Sequence, residues 1–151
     1  SPEGYIVIGI AAPLVEEVVF RGAILRALLK WMKNSFGELT KQKAWIAIAI
    51  SALFFSVIHL NPAQIPHAFL GGLLLGWLYY RTGSIIPGCI FHWINNSAAF
   101  LIAWMFPNVR TDAKLIEYFG GNETALILSA VISTIVAIPC ILQLNHIMKK
   151  A

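Results

Sequence analysis

Charge is what this sequence has least of: Asp, Glu, Lys and Arg make up 12% of its 151 residues, against 58% apolar types. With a mean hydropathy of +0.74, the composition lies far outside the soluble range and points to an integral membrane chain of one domain. The formal net charge of +4 does not imply a polyanionic partner. Its lysines sit beside hydrophobic segments, where membrane topology explains them, so no nucleic acid is expected.

Cysteine is scarcer still, with two residues. Cys89 and Cys140 lie within apolar segments without CxxC or CxxH spacing, which excludes a disulfide framework and a structural zinc knuckle. An internal repeat, a low-complexity tract and an HExxH motif are also lacking. The chain opens Ser1-Pro2-Glu3 with no initiator Met and no n-region, so no signal peptide is read. It is expected to be a processed or trimmed piece without its upstream helices.

What is present is a succession of apolar runs. Segment A covers about Tyr5 to Met32, B about Ala44 to Leu60, C about His67 to Tyr80, D about Ile85 to Phe106 and E about Thr124 to Ile147. Two prolines in Asn61-Pro62-Ala63-Gln64-Ile65-Pro66 break B from C, and the turn Arg81-Thr82-Gly83-Ser84 separates C from D. Residues 108–123 read as a surface loop with a short helix around 113–119. The expected fold is all-α, a polytopic transmembrane helical bundle of about five membrane segments. Lys30, Lys33, Lys41, Lys43, Arg81, Lys149 and Lys150 fall on one side of this alternation and Arg110 and Lys114 on the other, which places the C-terminus in the cytoplasm. Gly72 and Gly76 in C are spaced GxxxG and predict close packing of a neighbouring helix.

Against that background Glu16, Glu17 and Arg21 stand out, three charges in six residues of an apolar run. Each costs roughly 2.5–3.5 kcal/mol at a bilayer centre on insertion scales, so they must pair, hydrate or face a cavity. Glu17 and Arg21 are four apart with the acid first, the favourable order for an intrahelical pair. Glu16 lies about 100° round the helix and is left free to face a polar pocket as a base.

B and D carry further polar pairs, Phe55 with His59 and His92 with Asn96, each at i,i+4. A lone membrane histidine is most often a packed core residue. Polar clusters on three segments favour a shared site. Hydrolysis of a peptide bond within a bilayer needs a water, a base and donors for the oxyanion. Glu16 and His59 offer the base, and His92 and Asn96 the donors.

Glu16-Glu17-Val18-Val19-Phe20-Arg21 fits EExxxR, Phe55-Ser56-Val57-Ile58-His59 fits FxxxH, and His92-Trp93-Ile94-Asn95-Asn96 fits HxxxN. In that order the motifs resemble those of the CPBP intramembrane proteases, the family of type II CAAX prenyl endopeptidases and bacteriocin-processing and immunity proteins. The resemblance runs from about Gly9 to Phe100. It implies that Glu16 and His59 activate water, that His92 and Asn96 stabilise the oxyanion, and that Glu17 and Arg21 are structural. It further implies a peptide or lipidated protein substrate at the lipid bilayer and a prokaryotic plasma membrane location. Glu16, His59 and His92 are also suitable ligand types for a catalytic zinc, but Asn96 is a poor one, so no metal is firmly expected.

On this reading A, B and D surround a hydrated cavity, with C and E packed outside. His67 is expected to be an interfacial cap on C, with lining of the site mouth as the alternative, His146 an end residue of E, and Trp93 a residue that shapes a substrate pocket. Counting residues puts Glu16 and His59 roughly 20 Å below the cytoplasmic ends but His92 only about 10 Å, a mismatch that the structure must resolve. A proton-coupled transporter and a non-catalytic immunity or scaffold protein are the competing readings.

Overall fold

The computed structural model describes residues 2–62, 64–105 and 121–148, and every regular element among them is helical. The first run, α1, is continuous over residues 2–36 but changes its winding. Pro2–Gly4, Ala12–Glu17 and Arg26–Phe36 are α-helical, whereas Tyr5–Ala11 and Val18–Leu25 are π-helical. Pro13 is at the start of the central α stretch. Its ring would press on the carbonyl four residues back and it has no N–H to give, so the wider i→i+5 winding before it is the accommodation. Glu16 and Glu17 thus sit on a single α-helical turn between two π stretches.

After Gly37 the chain enters α2, Lys41–Val57, capped by the Thr40 side chain, which accepts from the Lys43 N–H at 3.3 Å. It stops two residues short of His59, which lies in the following turn rather than inside the helix as segment B implied. Then α3, Ile65–Thr82, ends at Gly83 with φ 66°, a left-handed cap suited to glycine. Next, α4 covers Ile86–Met105 and α5 covers Glu123–Met148. The expected helix at 113–119 and the charges Arg110, Lys114, Lys149 and Lys150 lie outside the described residues.

The chain divides into two units, residues 1–102 and 103–151. Within the second, α5 is a 26-residue helix whose most apolar 18-residue stretch has a mean hydropathy of 2.6 and no buried residues, long and apolar enough to cross a membrane. Among the described residues no other helix meets the same criterion. The five-span expectation is therefore matched by one such helix among the described residues.

Within the first unit α2 and α3 meet at glycines. A Cβ on Gly72 would stand 2.9 Å from the Ala52 Cβ, and one on Gly76 would stand 2.9 Å from the Ile48 Cγ2. The GxxxG spacing puts both on one face, and α2 presents Ile48 and Ala52 with the same four-residue step. Leu25, Met32, Ala47 and Ile48 form a core beside this contact. The opposite face of α1 is apolar and bare: Ile6, Val7, Leu14, Val15 and Val18 are all exposed.

α4 runs antiparallel to α1, as its contacts show in order: Gly22 lies against Ile85, Glu17 against Gly88, Ile8 against Asn96 and Tyr5 against Phe100. This register resolves the depth mismatch. The start of α4 is level with Gly22, not with the end of α1, because Arg26–Phe36 continues past it. The two helix ends are thus at unequal levels.

Candidate active site

The centre of the site is the Glu17 carboxylate, which is wholly buried. It accepts hydrogen bonds from Arg21 Nη1 at 2.9 Å, the i,i+4 partner that the spacing predicts, and from His92 Nδ1 at 3.1 Å. Arg21, 1% exposed, spends Nη2 on the Gly72 carbonyl at 3.1 Å and lies 4.6 Å above the Phe55 ring. A buried charge pair is stable only when its remaining donors and acceptors are met, and the α3 backbone and an aromatic face supply part of that here. Gly88 allows the approach of α4, since a Cβ there would meet Glu17 Oε2 at 2.7 Å.

Glu16, one position on, faces elsewhere. Its side chain keeps 25% exposure, and its Oε2 stands 3.6 Å from His92 Nε2. His92 therefore has a carboxylate at each ring nitrogen, Glu17 holding Nδ1 and Glu16 facing Nε2. Because a carboxylate only accepts, the Glu17 contact requires Nδ1 to carry a proton and so fixes the ring's orientation.

His59 is tethered through Nδ1 to the Phe55 carbonyl, 2.9 Å away. With that nitrogen donating, Nε2 is the basic one. The Phe55 ring lies edge-on to both imidazoles, with centroids 5.0 Å from His59 and 5.7 Å from His92. Its motif position thus corresponds to a buried wedge between the two histidines and the arginine.

These groups open on a cavity of about 750 Å³ lined by Glu16, His59, His92 and Asn96, with apolar walls that include Leu74, Phe91 and Phe100. A space of that size with a few convergent polar groups suits a short peptide or a small organic ligand. Two expectations change here. α3 does not pack outside the cavity: Ala68, Gly71 and Leu75 line it, because the glycine contact with α2 draws α3 inward. His67 lines the cavity with Gln64, the alternative to the cap, since α3 begins two residues before it.

Trp93 lies outside this cavity. It lines a smaller apolar recess with Ile10, Leu14, Cys89 and Ile90, and its Nε1 donates to the Tyr5 hydroxyl at 3.2 Å. Tyr5, which the motifs do not include, also reaches Ser97 Oγ at 2.9 Å and packs its ring against Phe100. Asn96 donates from Nδ2 to the Ile8 carbonyl at 3.0 Å. Contacts between α1 and α4 at such sequence separation leave no short-range signal. His146 stands in the last turn of α5, as expected.

Among the described residues no three His, Cys, Asp or Glu side chains are grouped to hold a metal ion. Glu16, His59 and His92 all line one cavity.

A family model described as type II CAAX prenyl endopeptidase Rce1-like matches residues 4–98. That range covers α1 to most of α4 and takes in every residue of the cluster. No curated protein and no solved structure matches the chain.

Proposed function

The chain belongs to the type II CAAX prenyl endopeptidase Rce1-like family, and on that premise we propose that it is an intramembrane endopeptidase. Its substrate is a prenylated or otherwise membrane-associated peptide. The observation that supports this most directly is that Glu16, His59 and His92 all line one cavity, while Glu17 and Arg21 neutralise each other behind it.

In the proposed reaction Glu16 takes a proton from water as the water oxygen bonds to the scissile carbonyl carbon, with His59 as the second basic group at the cavity. The carbonyl oxygen becomes an oxyanion, met by donors from His92 Nε2 and Asn96 Nδ2. Donation from Nε2 requires His92 to carry both ring protons, and Glu16 and Glu17 flank those two nitrogens. Collapse of the oxyanion breaks the C–N bond, and protonated Glu16 returns its proton to the leaving amine. Water activation by glutamate without an obligatory metal is the reading adopted.

The bilayer setting belongs to the same proposal. The bare apolar faces of α1 and α2, with Val15 at 62% and Phe54 at 55% exposure, suit acyl chains far better than water. At 17 residues α2 is about 26 Å long, close to the hydrocarbon thickness of ~30 Å. Five segments across a prokaryotic plasma membrane, with the C-terminus cytoplasmic, is the topology proposed.

The test is incubation of the purified chain in lipid vesicles with a prenylated CAAX peptide, followed by mass spectrometry of the products, with and without chelator. Cleavage by the parent chain that persists with chelator and is absent in His59→Ala is expected. A Glu16-dependent ion flux with no cleavage would replace this reading with a proton-coupled transporter.

A further inference from the structure

We infer that Pro13 orients Asn96, by leaving free a backbone carbonyl on which the asparagine side chain anchors. In the first π stretch of α1 the ladder joins each N–H to the carbonyl five residues back, as Ala12 N–H bonds Val7 O. The next rung would join residue 13 to the Ile8 carbonyl. Residue 13 is a proline and has no N–H, so that rung is missing. The Ile8 carbonyl is met from another helix, by Asn96 Nδ2 at 3.0 Å.

A carboxamide is planar, so one Nδ2 hydrogen committed to Ile8 fixes the direction of the other. Asn96 lines the same cavity as Glu16, His59 and His92. The side chain is thus held from behind while its remaining polar edge faces the cavity. Tyr5 secures the joint on either side of Asn96, accepting from Trp93 Nε1 at 3.2 Å and lying 2.9 Å from Ser97 Oγ. Pro13 itself is fully buried, so its ring is packed in place. A proline three residues before the glutamate pair therefore has a chemical consequence on a helix 83 positions later, through one oxygen atom.

The inference rests on the proposed oxyanion role of Asn96 for its kinetic consequence but not for the anchor itself. An alanine at position 13 restores an N–H that competes for the Ile8 carbonyl and loosens the hold on the side chain. A loosened donor costs transition-state stabilisation and leaves substrate binding alone, so kcat falls while KM holds.

The experiment uses the whole chain in lipid vesicles or detergent with a prenylated CAAX peptide, and compares Pro13→Ala, Asn96→Ala and the double variant. Pro13→Ala is expected to lower kcat about tenfold or more with KM within about twofold, and to have no further effect in the Asn96→Ala background. In parallel, the side-chain amide of Asn96, labelled with 15N, is expected to lose its bonded-proton shift and exchange faster in Pro13→Ala. Pro13→Gly also supplies the N–H and serves as the second variant for folding. Asn96 amide signals unchanged in both Pro13 variants, or equal kcat losses in both backgrounds, would overturn the inference. Full kcat in Asn96→Ala would instead remove the oxyanion reading, and the amide signal reports the anchor independently of it.

Discussion

The seam between α2 and α3 and the seam between α1 and α4 are made of opposite materials. In the first, Gly72 and Gly76 bring two backbones together over Ile48 and Ala52. In the second, Glu17, His92, Asn96, Tyr5 and Ser97 reach across in polar contacts, and the cavity opens beside them. Close packing of small residues stabilises helix pairs without offering any reactive group. A polar seam in apolar surroundings is costly unless every member is paired, and the members that keep solvent access are the ones available for chemistry. Arg21 joins the two seams, bonded to Glu17 on its own helix and to the Gly72 carbonyl on α3.

That contrast breaks most sharply at the joint. Arg21→Met leaves the Glu17 carboxylate buried without its cation and frees the Gly72 carbonyl, and it is expected to destabilise the fold by about 3–5 kcal/mol. Detergent-solubilised protein followed through thermal or denaturant unfolding measures this. His92→Ala acts on the polar seam and is expected to reduce kcat by about 10²–10³-fold in the prenylated-peptide assay, the usual effect of losing one oxyanion donor. Gly76→Leu acts on the dry seam. It is expected to cost about 1–3 kcal/mol by overpacking against Ile48 and to lower activity only through the folded fraction. A Gly76→Leu protein with normal stability and impaired kcat would blur the division between the seams.

Much of this division is legible in the residues. The i,i+4 step from Glu17 to Arg21 and the four-residue step from Gly72 to Gly76 both correspond to real contacts, because helical periodicity alone sets which side chains share a face. The separation of Glu16 from Glu17 follows from the same rule. What pattern reading misses is register between helices. The relative depth of His92 follows from Arg26–Phe36 extending beyond the level where α4 begins. The place of α3 in the cavity wall depends on how far its glycines let it approach α2, which no composition reveals. The contacts of Tyr5 with Trp93 and Ser97, and of Asn96 with the Ile8 carbonyl, span about ninety positions and depend on a π-helical winding that propensities do not signal.

Two neighbouring carboxylates put the account to its most direct test, with cleavage rate and unfolding midpoint measured together for Glu16→Gln and Glu17→Gln. Glu16→Gln is expected to lose cleavage by a factor on the order of 10²–10⁴ at an unchanged midpoint, and Glu17→Gln to lower the midpoint by stranding Arg21. Undiminished cleavage by folded Glu16→Gln would contradict the assignment of the reaction to this cavity.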